Sequence, residues 1–99
     1  MKIVKLEGRT AIEFVQTEQE LVWELTIGAL KHLLESNDDS VSILKLVAEN
    51  ATEIVVYREN IAETYTKALE YMEKTEQYNM CSKLIDFLKK YEDKYGKIL

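Results

Sequence analysis

Apolar positions along this chain change period once, from strand alternation to helical spacing, and polar clusters mark the boundaries that follow. Residues 1–16 place the strand formers Ile3, Val4, Ile12, Phe14 and Val15 on either side of Gly8, which predicts a β-hairpin. Pairing residues whose numbers sum to 18 sets Leu6 against Ile12 and Val4 against Phe14 on one face, with Lys5 opposite Glu13 on the other. A two-residue loop at Gly8-Arg9 mixes the faces, so the loop is Gly8-Arg9-Thr10 or slightly longer. A lone hairpin is marginal in water and must rest its apolar face on the helices that follow.

Thr17 and Glu20 have the spacing of a capping box, so a helix is expected over 17–36. Val22, Leu25, Ala29 and Leu33, flanked by Trp23, Ile27, Leu30 and Leu34, give it a broad apolar face that is covered on two sides. The cluster Ser36-Asn37-Asp38-Asp39-Ser40 ends it and offers N-caps for the next helix.

The most sustained periodicity runs from Val41 to Thr75. With Leu44, Ala51, Arg58, Tyr65 and Met72 at heptad position a, the d positions are Val47, Ile54, Ile61 and Ala68, and the e positions Val41, Ala48, Val55, Ala62 and Leu69. The run Ile54-Val55-Val56-Tyr57 alone suggests a strand, but the heptad phase passes through it, and the longer pattern predicts one continuous helix over 41–75. Such a helix is ~50 Å long at 1.5 Å per residue. Thr75 to Asn79 form a polar turn, and Cys81, Leu84, Ile85, Leu88, Tyr91 and Tyr95 return to helical spacing over 80–95, stopped by Gly96.

These elements describe a single mainly-α domain over 1–99: an N-terminal β-hairpin, then three helices with a long central one. Helices of half its length fold back along the long helix but leave part of its wide apolar stripe uncovered. The expected resolution is a helical-bundle homodimer joined side by side along Leu44, Val47, Ala51, Ile54, Val55, Arg58, Ile61 and Tyr65.

Composition agrees with a small soluble globular chain: 46% hydrophobic, 31% charged, no proline and three glycines. No apolar run reaches the ~18 residues of a membrane span and the N-terminus has no signal-peptide core, so no membrane partner and a cytoplasmic location are expected. One cysteine, Cys81, fits a reducing compartment. Net charge is −5, but residues 10–66 carry eleven acids against Lys31, Lys45 and Arg58, while residues 1–9 and 77–99 each sum to +2. The net acidity argues against direct binding of nucleic acid.

The catalytic inventory is nearly empty. His32 is the only histidine, no Glu-x-x-His, His-Glu-x-x-His, Cys-x-x-Cys, Gly-x-Ser-x-Gly or phosphate-binding glycine loop occurs, and Cys81 reads as a small core residue. No cofactor, metal site or enzymatic activity is expected. Arg58, the one charge on the stripe, reads either as an anion-binding group inside the bundle or as a polar seam residue paired with an acid such as Glu59 or Glu63. On the second reading, Arg58→Leu raises thermal stability while loosening oligomer specificity. Glu49, Glu53, Glu59, Glu63, Glu70 and Glu73 line the opposite side of the long helix, as a solvated face or a partner-binding acidic one. Tyr57, Tyr71 and Tyr78 are candidate interface anchors or rim packing. The expected function is therefore a non-enzymatic acidic protein that homodimerises and acts through a protein partner. The alternatives are an inhibitor of the mobile-element or phage type, whose acidic rod mimics nucleic acid in the binding site of a larger defence or transcription protein, and a helical bundle that binds a small ligand at Arg58.

Overall fold

The computed structural model describes residues 1–97 and has an α/β architecture. In chain order the elements are β1 (Lys2–Lys5), α1 (Ala11–Thr17), α2 (Gln19–Glu35), β2 (Ser40–Val47), β3 (Ala51–Tyr57), a 3-10 turn (Arg58–Asn60), α3 (Ile61–Lys74) and α4 (Tyr78–Tyr95). The strands form one mixed sheet in the order β1-β2-β3. β1 runs parallel to β2, with Val4 beside Leu46, and β2 runs antiparallel to β3, with Leu44 beside Ile54. This corrects the mainly-α bundle expected above. Of the expected single domain over 1–99, Ile98 and Leu99 lie outside the described residues.

The N-terminal hairpin is replaced by a strand and a helix. Glu7 and Gly8 both take left-handed backbone angles, φ 53° and 88°, and turn the chain out of β1. Thr10 then caps α1, its hydroxyl accepting the Glu13 N–H at 3.1 Å. Thr10-x-x-Glu13 has the same capping spacing as Thr17-x-x-Glu20, and the fold caps on the earlier threonine. Thr17 instead closes α1, its hydroxyl donating to the Glu13 carbonyl. α2 starts at Gln19 without a side-chain cap.

The long helix does not form. A 50 Å rod would exceed the molecule's longest extent, 44 Å. Its first half is the hairpin β2–β3, turned at Ala48-Glu49-Asn50, and its second half is α3. Burial shows why the heptad reading fails here. Ile43, Leu46 and Val56 lie off the heptad stripe and are buried, whereas Ala48 and Ala51 lie on it and are exposed. Thr52, Ile54 and Val56 pair with Leu46, Leu44 and Val41 and so share the helix-covered face of the sheet, and an irregularity between Ser42 and Leu44 lets the consecutive Ile43 and Leu44 both be buried.

The helices cover one face of the sheet. α2 lies at the centre, against β2 on one side and against α3 and α4 on the other. Leu30, Leu33, Leu44, Leu46, Met72 and Leu84 are the fully buried centre of the core. The two-sided apolar pattern of α2 anticipated this position. The opposite sheet face, with Ile3, Lys5, Lys45 and Glu53, is exposed or half-exposed. α3 ends in a Schellman turn: Glu76 N–H bonds the Glu73 carbonyl at 3.1 Å and Gln77 N–H the Met72 carbonyl at 2.8 Å. Glu76 itself takes φ 59°. Among the described residues, no helix is long and apolar enough to cross a membrane.

Candidate functional site

Most polar side chains with any burial are committed to the fold. Arg58 begins the 3-10 turn after β3 and reaches under the C-terminus of α2. Its Nη2 donates to the carbonyls of Leu33 at 2.8 Å and Ser36 at 2.9 Å, Nε donates to the Asp38 carbonyl at 2.9 Å, and Nη1 donates to the Tyr91 hydroxyl at 3.0 Å. Its backbone N–H bonds the Asp39 carbonyl, and its guanidinium sits 5.3 Å from the Tyr95 ring centre. Burial works against its charge, but the hydrogen bond and proximity to Tyr91, with Tyr95 adding to them, hold its pKa above the ordinary arginine value. Arg58 thus satisfies carbonyls that a helix end leaves unpaired and places a cation at the negative end of the dipole.

That role differs from both readings of Arg58 made from the sequence. Its hydrogen-bond partners are carbonyls and a phenol rather than an acid, and four donors of the guanidinium fork are used internally, which leaves little of it for an anion. Lys94 and Tyr95 serve the same helix end, Lys94 Nζ donating to the Leu34 carbonyl at 2.9 Å and the Tyr95 hydroxyl to that of Ser36 at 3.2 Å. Phe87, Tyr91 and Tyr95 form a ladder along α4 with ring centres 5.6 and 4.6 Å apart.

The other sequence candidates are dispersed. Leu44 and Val47 are on β2, Ala51, Ile54 and Val55 on β3, and Ile61 and Tyr65 on α3, so they form no helical seam. Leu44, Ile61 and Tyr65 are buried inside one chain. The six acids are all exposed, but Glu49 sits in the β2–β3 turn, Glu53 on β3 and Glu59 in the 3-10 turn, leaving only Glu63, Glu70 and Glu73 on one helix. No straight acidic rod results. Glu63 pairs with Lys67 at 2.8 Å, which lowers its pKa. His32 Nε2 lies 2.7 Å from Asp38 Oδ2 on the surface, and Cys81 is buried on the inner side of α4. Tyr71 stacks on Trp23 at 5.9 Å, whereas Tyr57 and Tyr78 are exposed.

A groove of about 420 Å³ opens between α2 and α4. Ile27, Leu30, Leu34, Met80, Leu84 and Phe87 make its apolar lining. Its polar lining is Lys31 and Glu35 from α2 with Lys83, Asp86 and Lys90 from α4, a net charge of +1 on a chain whose total is −5. Gly28 also lines it, within α2 at a helix-interior position where glycine costs about 1 kcal/mol relative to alanine. A Cβ built there meets nothing within 4 Å, so packing inside the chain does not require the glycine. Sequence reasoning missed the groove because it joins two helices separated by the sheet hairpin and α3. The available signals were Gly28 within an otherwise unbroken helical pattern and the lysine excess of residues 77–99.

Comparison with family models, curated proteins and solved structures finds no match for this chain.

Proposed function

We propose that this protein is a non-enzymatic interaction domain that docks an amphipathic helix of a protein partner in the α2–α4 groove. The observation that carries the reading is the groove's composition: an apolar floor between two helices, lined with lysines on both sides and containing a glycine with open space at its Cβ position. Helix-in-groove recognition uses an apolar stripe on the ligand as the anchor. The lysine stems extend that apolar surface while their ammonium groups stay in water, where they favour acidic residues flanking the stripe. Gly28 allows close approach of the partner's backbone. The commitment of Arg58, Lys94, Tyr91 and Tyr95 to internal hydrogen bonds supports a binding role over a catalytic one.

A synthetic amphipathic helix with leucines on one face and glutamates on both flanks is the probe. In amide chemical-shift mapping it perturbs Ile27, Leu34, Met80 and Lys83, the same helix with lysine flanks binds at least ~10-fold more weakly, and Met80→Glu removes the interaction. Equal binding of both helices, or shifts confined to another surface, would refute the assignment.

A further inference from the structure

The sheet has two free edges, and they are unequally protected. β1 has four residues, with Lys2 and Lys5 exposed at its ends. Charged side chains and short length are the ordinary means by which an edge strand avoids pairing with another chain. β3 has seven residues and a single charge, Glu53; no lysine, arginine or proline interrupts Ala51-Thr52-Glu53-Ile54-Val55-Val56-Tyr57. Among the described residues no strand pairs with its outer edge.

We propose that β3 pairs with β3 of a second copy, antiparallel about a twofold axis at Ile54, joining two three-stranded sheets into one of six strands. The register follows from three constraints. Partner residues must share a face, which requires their numbers to have an even sum; an odd sum would set Ile54, on the helix-covered face, against Val55 on the open one. An axis at Ile54 uses the strand from Ala51 to Tyr57, whereas an axis at Val55 sets Thr52 against Arg58, which has already turned into the 3-10 segment. Charge excludes the remaining even-sum choice, an axis at Glu53, which sets the two Glu53 carboxylates against each other. With the axis at Ile54, Glu53, the only charge on β3, faces Val55 of the second copy, while within its own sheet it faces Lys45 and accepts a hydrogen bond from the Ser42 hydroxyl at 3.0 Å.

The helix-covered side of β3 supplies further contact. Ala11, Ile12, Val15, Thr52 and Ile54 help line a shallow, almost wholly apolar hollow of about 250 Å³, and Ile12 is 71% exposed in one chain. A strand added beside β3 brings its own Ile54 and Thr52 toward this hollow. The surface shares no residue with the α2–α4 groove, so it leaves that groove free. β-Augmentation of this kind derives its affinity from main-chain hydrogen bonds and its register from side-chain matching.

Sedimentation equilibrium of the full chain and of Val55 variants provides the test. Wild type is expected to be a dimer at micromolar concentration. Val55→Glu places a carboxylate opposite Glu53 of the other copy, twice across the twofold, and should weaken association about 5- to 30-fold. Val55→Lys sets opposite charges there and should associate at least as tightly as wild type. Glu53→Gln combined with Val55→Glu removes the repulsion and should restore the dimer. A monomeric wild type, or Val55→Glu associating as wild type does, overturns the proposal. Circular dichroism reports whether each variant is folded. Should Val55→Glu not fold, Val55→Lys decides alone, with weaker association than wild type counting against the register.

Discussion

Gly28 separates two demands on one residue, stability of the chain and access to the groove. Alanine is the best helix former and glycine is worse by about 1 kcal/mol in a helix interior. Because the built Cβ at residue 28 meets nothing within 4 Å, Gly28→Ala carries no steric cost in the free protein. The substitution should therefore stabilise the fold by about 1 kcal/mol, which for a domain of this size is roughly 4–8 °C in Tm. The groove reading adds the opposite expectation for binding. A methyl group where the partner's backbone approaches most closely should weaken the glutamate-flanked helix by about 1 kcal/mol, or roughly 5-fold in Kd. Thermal unfolding followed by circular dichroism measures the first quantity, and fluorescence anisotropy with the labelled helix measures the second. A Tm that stays constant or falls would show that the glycine is required within the fold. A raised Tm with unchanged affinity would remove the docking explanation for the residue.

Three further outcomes follow from the packing. Arg58→Leu is expected to destabilise the chain by about 3 kcal/mol in urea unfolding, since it removes the donors to the carbonyls of Leu33 and Asp38 and one of the two donors to that of Ser36; a neutral or stabilising effect, as the seam reading required, would remove the capping role. Glu76→Gly should stabilise by about 0.5–1 kcal/mol, because φ 59° suits glycine better than an L residue even after the entropy gained by the unfolded chain, and a loss of stability would count against the Schellman geometry. Burial, with smaller contributions from Glu92, Glu73 and Cys81, raises the Tyr65 pKa, so the unfolded chain gives up that proton first as pH rises. Its contribution is present below the ordinary tyrosine value near 10 and is lost as pH climbs through the folded value, so Tyr65→Phe should show a shallower alkaline loss of stability; identical pH profiles would refute this.

Local pattern was sufficient for the elements whose stabilising contacts are near in sequence or lie along one helix. α2 and α4 were placed within two residues of their ends, because their apolar residues recur at helical spacing and polar clusters or Gly96 bound them. The inward side of Cys81 and the two-sided burial of α2 were legible for the same reason. Residues 41–57 were not. Their apolar positions satisfy a heptad and a strand alternation together, and the choice rests on hydrogen bonds between segments, from β2 to β3 across a short turn and from β2 to a partner distant in sequence. β1 supplies the latter to β2 across the α1–α2 crossover, and Val4 beside Leu46 is a contact that no local pattern reports. Arg58 illustrates the same limit at one residue: its type and position were plain, but its acceptors come from the end of α2, the following loop and α4, brought together only by the packed chain. The α2–α4 groove and the free β3 edge are likewise products of topology, since a groove exists only between elements and an edge only where a sheet stops.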